Sequence, residues 1–308
     1  MTDTGGFGNG RHVPGAGRFL TGALFVAAAY AAAVSATDVI EAVLSDENAL
    51  AALRDALPVS IAGGILIGLT LGLIASRMPG SRRRQFLVWW VLVYLSTVGV
   101  IIEGAVFAPD LVPVAAIPLA LLSYAVVAGV VAGAVALAFA PRGVPGATLP
   151  SLPDRRRLLV GLVAGTVTYA VLYFVFGALN YALVTGPYYE QQIGGLVNPP
   201  FRVVVAVFLI RGVLLTVSLI PLVRTVDGPR RRAWMSALSV AVLAGFLPLL
   251  IQVGQLPLVV LAASSYEIAL QVGPTAIVVA AILGTDASPS VRTELRRMWR
   301  GDDGATSR

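Results

Sequence analysis

The sequence predicts an all-α integral membrane protein, an eight-span helical bundle, and three observations carry that prediction. First, 57% of the 308 residues are hydrophobic and only 12% charged, with a mean hydropathy of +0.85. A soluble domain carries about 25% charged residues, and a chain this apolar would expose far too much greasy surface in water. Second, eight segments approach or exceed the roughly 20 apolar residues that cross a hydrocarbon core. Third, the basic residues alternate with those segments. All 22 are Arg, and with eight spans every one except Arg54, Arg202 and Arg211 falls on one side or in a terminal tail on that side.

The expected spans are Phe19–Ala36, Val59–Ser76, Phe86–Ala108, Leu111–Ala140, Leu158–Val184, Phe201–Val223, Ala233–Val253 and Leu256–Gly284. Arg77 with Arg82–Arg84, Arg142 with Arg155–Arg157, and Arg224 with Arg230–Arg232 occupy every second loop. Positive residues stay cytoplasmic, so the expectation is a cell-membrane protein with both termini inside. Trp89, Trp90 and Trp234 near cytoplasmic span ends fit an interfacial belt. The chain then divides into a flexible tail (1–18), the bundle (19–284) and a basic tail (285–308). Arg18, the apolar run and Val34-Ser35-Ala36 also resemble a signal peptide, but the run is longer than the usual 7–15 residues of its apolar core, which favours a retained span.

The stretches between spans carry local signals. In the outer segment Thr37–Leu57, Asp38-Val-Ile-Glu41 reads as a capping box. Val39, Ile40, Val43, Leu44, Leu50, Leu53 and Leu57 recur at helical spacing. The expectation is one or two short helices lying on the outer surface. In Thr185–Pro200, the Gly and Pro residues read as a turn-rich outer loop. Ser290–Arg300 reads as a basic amphipathic helix on the inner leaflet, with anionic lipids as its partner.

The two halves, 19–140 and 158–284, resemble each other. Arg18, Gly22 and Tyr30-Ala31 match Arg157, Gly161 and Tyr169-Ala170 at an offset of 139. Gly64, Gly80, Arg82–Arg84 and Ala108-Pro109 line up with Gly212, Gly228, Arg230–Arg232 and Leu256-Pro257 at an offset of 148. Four spans per half give a parallel tandem 4+4 repeat about the membrane normal. Small residues four apart, at Gly64, Gly68 and Gly72, at Gly129 and Gly133, and at Gly161 and Gly165, predict close helix packing inside the bundle.

Function would be written in the polar residues at membrane depth. Arg211 and Glu267 each lie ten residues in from an outer span end, about 15 Å deep. A charge there costs about 2.5–3.5 kcal/mol on insertion scales, so the two are expected to pair. Glu103, Asn180 and Gln252 lie about 7–8 Å below the outer surface. With Arg202 and Gln255 at the rim, and Tyr169, Tyr173, Tyr181 and Tyr266 nearby, they are expected to line a polar cavity opening outward. The candidate binding residues are therefore Arg211, Glu267, Glu103, Asn180, Gln252 and Arg202.

Composition excludes much chemistry. The chain has no Cys and no Lys, and its one His is His12 in the tail. That removes thiolate catalysis, Schiff bases and buried His sites. No P-loop, metalloprotease or nucleophile-elbow motif occurs, so no catalytic residue, cofactor or metal ligand is assigned. The pI of about 10.0 reflects positive-inside loops rather than nucleic-acid binding, since no basic domain outside the membrane is large enough to fold. The favoured reading is a non-enzymatic protein that binds or transports a small solute, ion or lipid through the cavity. A structural or regulatory subunit, with the pair as a helix clamp, and an intramembrane enzyme on lipid using Glu267 and Glu103 are the alternatives. Oligomeric state is left open.

Overall fold

A computed structural model describes residues 15–44, 48–141, 152–284 and 299. Among these, eight helices are long and apolar enough to cross a membrane. They are α1 (Ala16–Leu44), α2 (Ala49–Ala75), α3 (Arg82–Phe107), α4 (Ile117–Phe139), α5 (Arg155–Glu190), α6 (Phe201–Thr225), α7 (Pro229–Ile251) and α8 (Leu258–Leu283). No strand occurs among the described residues, only a bridge between Val253 and Leu256. This is the structure a bilayer demands, because each helix satisfies its backbone groups within its own segment. The chain is an all-α multi-pass membrane protein.

The large exposed apolar side chains trace the lipid face. On α5 they run Leu159, Val163, Val167, Val171, Val175, Leu179 and Leu183, one every turn. On α4 they include Leu119, Leu122, Val126, Val130 and Leu137. The helix α3 contributes none and α7 only Phe246, so these two form the interior of the bundle. Trp89, Leu92, Leu71, Leu219 and Met235 are completely covered in a core shared by both halves. A smaller apolar cluster, Ala108, Leu196, Leu249, Leu256, Val260 and Leu261, gathers at the helix ends away from the start of α1 and the end of α8.

Two expectations about the outer segments need correction. There is no capping box at Asp38, because α1 runs unbroken through Asp38 to Leu44. The Ala-rich stretch offers no breaker there, and inside a continuous helix the amides a capping box would satisfy already bond four residues back. The real start is Asn48, whose Oδ1 accepts from Leu50 N–H at 3.0 Å and Ala51 N–H at 3.2 Å. The expected surface helices are thus the outer ends of α1 and α2. Likewise, the start of the expected loop after Val184 is helical to Glu190.

Prolines explain how α5 and α7 are built. Pro187 and Pro248 lack an N–H and would collide with the carbonyl four residues back in a regular helix. Directly before each lies a wider π turn, Tyr181–Thr185 in α5 and Ala241–Phe246 in α7. Gly186 N–H bonds Tyr181 O and Leu247 N–H bonds Val242 O, five residues back instead of four. A side chain at position 186 would meet Tyr181 O at 2.7 Å, so only glycine closes that turn. Such bulges concentrate at functional sites.

The helices make matching neighbours in the two halves. α1 packs on α2 and α4, and α3 on α4; α5 packs on α6 and α8, and α7 on α8. Between halves α3 packs on α6, and α2 on α7. Single residues repeat the relation. A Cβ at Gly64 would meet Ala27 O at 2.5 Å, and one at Gly212 would meet Thr166 Cα at 3.0 Å. Gly63 sits beside Tyr30 and Leu247, while Arg211 sits beside Tyr169 and Gly99. Each correspondence falls on the offsets of 139 or 148 read from the sequence.

The packing glycines face internal partners in most cases. Gly64 and Gly68 meet the α1 backbone, Gly72 meets Phe139, Gly161 meets Leu283, and Gly165 meets Thr216 and Val279. A Cβ at Gly133 would meet nothing outside its own helix within 4 Å among the described residues. Several Arg side chains cap helix ends, where carbonyls lack partners and the helix dipole is negative. Arg77 Nη1 donates to Leu73 O at 2.8 Å, Arg232 Nε to Val226 O at 3.3 Å, and Arg157 Nε to Ile282 O at 2.5 Å. The tails and the expected helix Ser290–Arg300 lie outside the described residues, apart from the ends of α1 and the exposed Trp299.

Candidate functional site

Four helices bring polar side chains together in the half of the bundle away from the start of α1 and the end of α8. Arg211 of α6 is only 4% exposed, and its Nη1 donates to Oε2 of Glu103 on α3, whose side chain is 20% exposed. Glu103 Oε1 accepts a second bond from the Tyr173 hydroxyl of α5 at 2.9 Å. The Arg211 guanidinium also lies 5.7 Å from the centroid of the buried Tyr169 ring, in cation–π range. Gly99, one turn before Glu103, leaves the groove on α3 along which the Arg211 stem runs.

This corrects the expected pairing. Arg211 bonds Glu103, not Glu267. Gly99 lies beside the Arg211 stem, so Glu103, one turn further on, stands about 6 Å farther along the axis, away from the start of α1. A long Arg stem covers most of that height by snorkelling outward. A carboxylate at the same depth needs no such reach, but it must also share a helix face with Arg211, and Glu267 faces α5 instead.

Glu267 of α8 accepts from two amides. Asn180 Nδ2 of α5 donates to Oε2, and Gln271 Nε2, one turn along α8, donates to Oε1 at 2.7 Å. Gly177 makes room for the carboxylate, since a Cβ there would sit 3.1 Å from Glu267 Oε1. No Arg lies within ion-pair distance of Glu267 among the described residues. It remains within electrostatic reach of both Glu103 and Arg211.

Beneath the ion pair, Ser96, Gly99, Tyr169, Arg211 and Ala244 help to line a cavity of about 10 Å³, close to the smallest that holds one water. The Ser96 and Tyr169 hydroxyls are buried there without a hydrogen-bond partner among the described residues. Both π turns adjoin the cluster: Asn180 immediately precedes one, and Ala244 belongs to the other. Val197 N–H bonds Phe107 O at 2.9 Å, tying the outer loop to the end of α3 one turn above Glu103.

The remaining candidates stand apart. Arg202 is exposed in the first turn of α6. Gln252 is half-buried at the end of α7, and its side chain makes no hydrogen bond among the described residues. Tyr266 is 75% exposed and points away from the cluster, while Tyr181 accepts from Asn198 Nδ2 at 3.1 Å. Gln271 is a site residue that the sequence reading misses, although its position four residues after Glu267 is the helical spacing that brings two side chains together.

No protein-family model, curated protein or solved structure matches the chain. Among the described residues no three His, Asp or Glu side chains form a metal-holding group.

Proposed function

We propose that the chain is a cell-membrane protein, with both termini cytoplasmic, that binds or transports a small solute or ion at the cluster of Glu103, Arg211, Asn180, Glu267 and Gln271. The observation that carries the reading is that α3, α5, α6 and α8 each spend a polar or ionisable side chain on one place at membrane depth. Ionisable residues there are costly and mark substrate or ion paths. The flanking π turns and the partial exposure of Glu103 agree with a site that works from the outer side. Arg211 already holds a carboxylate, which disfavours an anionic substrate; Glu267 is the carboxylate without an ion-pair partner among the described residues.

We also infer that the halves are a parallel repeat of four spans each, supported by the recurring neighbours of the glycines and tyrosines. Only the second half supplies a charge at the Gly63/Arg211 position. The Arg loops would face anionic inner-leaflet lipids.

A second reading has its own support. The Glu103–Arg211 bond joins α3 to α6 across the two halves, and the cavity beside it has room for about one water. Those features suit a clamp. Uptake of labelled solutes and ions by proteoliposomes separates the readings. The working-site reading expects a flux that Glu267→Gln abolishes in folded protein. Absence of any flux or ligand-induced stabilisation across the panel would leave the clamp.

A further inference from the structure

The polar cluster is one positive charge short. It contains two carboxylates, Glu103 and Glu267, and one guanidinium, Arg211. The Glu103–Arg211 bond consumes the guanidinium. A net negative charge at this depth is expensive, so the cluster calls for one more positive charge than the described residues supply.

The surroundings of Glu267 identify where that charge goes. Gln271 is fully buried, and its Oε1 has no hydrogen-bond partner among the described residues. A buried amide oxygen left without a partner costs about 1–3 kcal/mol. Asn180 Oδ1 likewise accepts no bond among the described residues. An amide carries an oxygen and an NH₂ on the two sides of one plane. Turned over, Asn180 and Gln271 present two oxygens to the two of Glu267. Four oxygens with one negative charge are the ligand chemistry of a hard monovalent cation; a protonated Glu267 would instead donate its O–H to one of the amide oxygens. Either occupant neutralises the cluster; the cation, or the O–H where it points to Gln271, gives the Gln271 oxygen a partner, and the NH₂ moves to the position that the oxygen leaves.

The other charged and titratable groups around Glu267 are Glu103 on α3, Tyr169, Tyr173 and Tyr189 on α5, and Arg211 on α6. The charged residues of α7, Arg230–Arg232, lie at its opposite end. We propose that Glu267, Asn180 and Gln271, between α5 and α8, form a binding site for one monovalent cation, a proton or a sodium ion. The proposal rests on reading the cluster as the working site and names the ion that site takes.

The test uses the full chain in detergent, with NaCl exchanged for choline chloride at constant ionic strength over a pH series. Thermal unfolding should shift upward on acidification, on sodium addition, or both. Glu267→Gln, which removes the negative charge without changing shape, should be as stable as the saturated wild type and should respond to neither. N,N′-dicyclohexylcarbodiimide, which reacts with protonated carboxyls in membranes, should label Glu267 and spare Glu103. Sodium slowing that labelling at fixed pH identifies sodium; labelling that depends on pH alone identifies the proton. The proposal is overturned if the wild type responds to neither ion, or if Glu267→Gln keeps the full response. A chain that takes up the cation but moves nothing across vesicles keeps this site and loses the transport reading. A solute flux that Glu267→Gln abolishes, in a chain whose stability and labelling answer to neither ion, does the reverse.

Discussion

Replacing Arg211 by Met removes the one cation of the cluster and leaves two carboxylates within electrostatic reach of each other in a low-dielectric interior. Arg211 is 4% exposed and Glu103 20%, so little solvent reaches either to screen the loss. Breaking a buried pair from one side costs about 3–5 kcal/mol, whereas replacing both partners with apolar groups is often neutral or stabilising. Arg211→Met alone should therefore lower stability by about 3–5 kcal/mol. Tyr173 still donates to Glu103 and holds the loss toward the lower end. Arg211→Met with Glu103→Leu should recover most of it, a coupling on the order of 2–3 kcal/mol. Arg211→Met with Glu267→Leu should recover less, because Glu103 would still be buried without its partner. The assay is reversible unfolding of the purified chain in mixed micelles, read by Trp fluorescence. If the two double variants are equally stable, or the single change costs less than about 1 kcal/mol, the range of exposed ion pairs, Glu103 is not the buried partner of Arg211.

Other outcomes follow from single contacts. Gly186→Ala should destabilise, although alanine gains up to about 1 kcal/mol over glycine in an ordinary helix, because the new Cβ would meet Tyr181 O at 2.7 Å; a higher melting point would mean that the π turn is not constrained there. Gly64→Leu should separate α1 from α2 and cost at least the roughly 1–3 kcal/mol typical of overpacking, read in the same unfolding assay. The chain has no Cys, so cysteines introduced singly at Asn48 and Glu190 should react with an impermeant maleimide from outside intact cells, and ones at Arg83 and Arg231 should not; outside labelling of Arg83→Cys would reverse the topology.

Much of the fold was legible because lipid leaves a chain few options. With no water to bond the backbone, a span must be a complete helix, and hydropathy then reports its place directly. What the sequence concealed lies where two local signals compete. Asp38 and Glu41 have the spacing of a cap, yet the alanines before them carry the helix onward, and Asn48 is the residue that caps. Gly186-Pro187 has the composition of a turn, yet a π turn absorbs the proline and the helix continues. The polar residues Arg211, Glu267, Glu103 and Asn180 stood out because each is alone in an apolar run. Their pairing did not, because depth along an axis says nothing of helix face or side-chain reach. Counting residues put Arg211 level with Glu267, while the length of an Arg side chain sends it to Glu103. Gln271 could have been found from its four-residue step; the roles of Gly99 and Gly177, which open space for Arg211 and Glu267, depend on packing that no single sequence spells out.

The most direct measurement of the central claim is ion flux through the cluster. Wild-type chain and Glu267→Gln are reconstituted in liposomes carrying a pH-sensitive and a sodium-sensitive dye, and an inward gradient of each ion is imposed with and without a panel of small solutes outside. The account predicts a flux above empty liposomes in the wild type, and none in Glu267→Gln at matched insertion and stability. Equal flux in the two proteins, or none in either under any gradient, would contradict it.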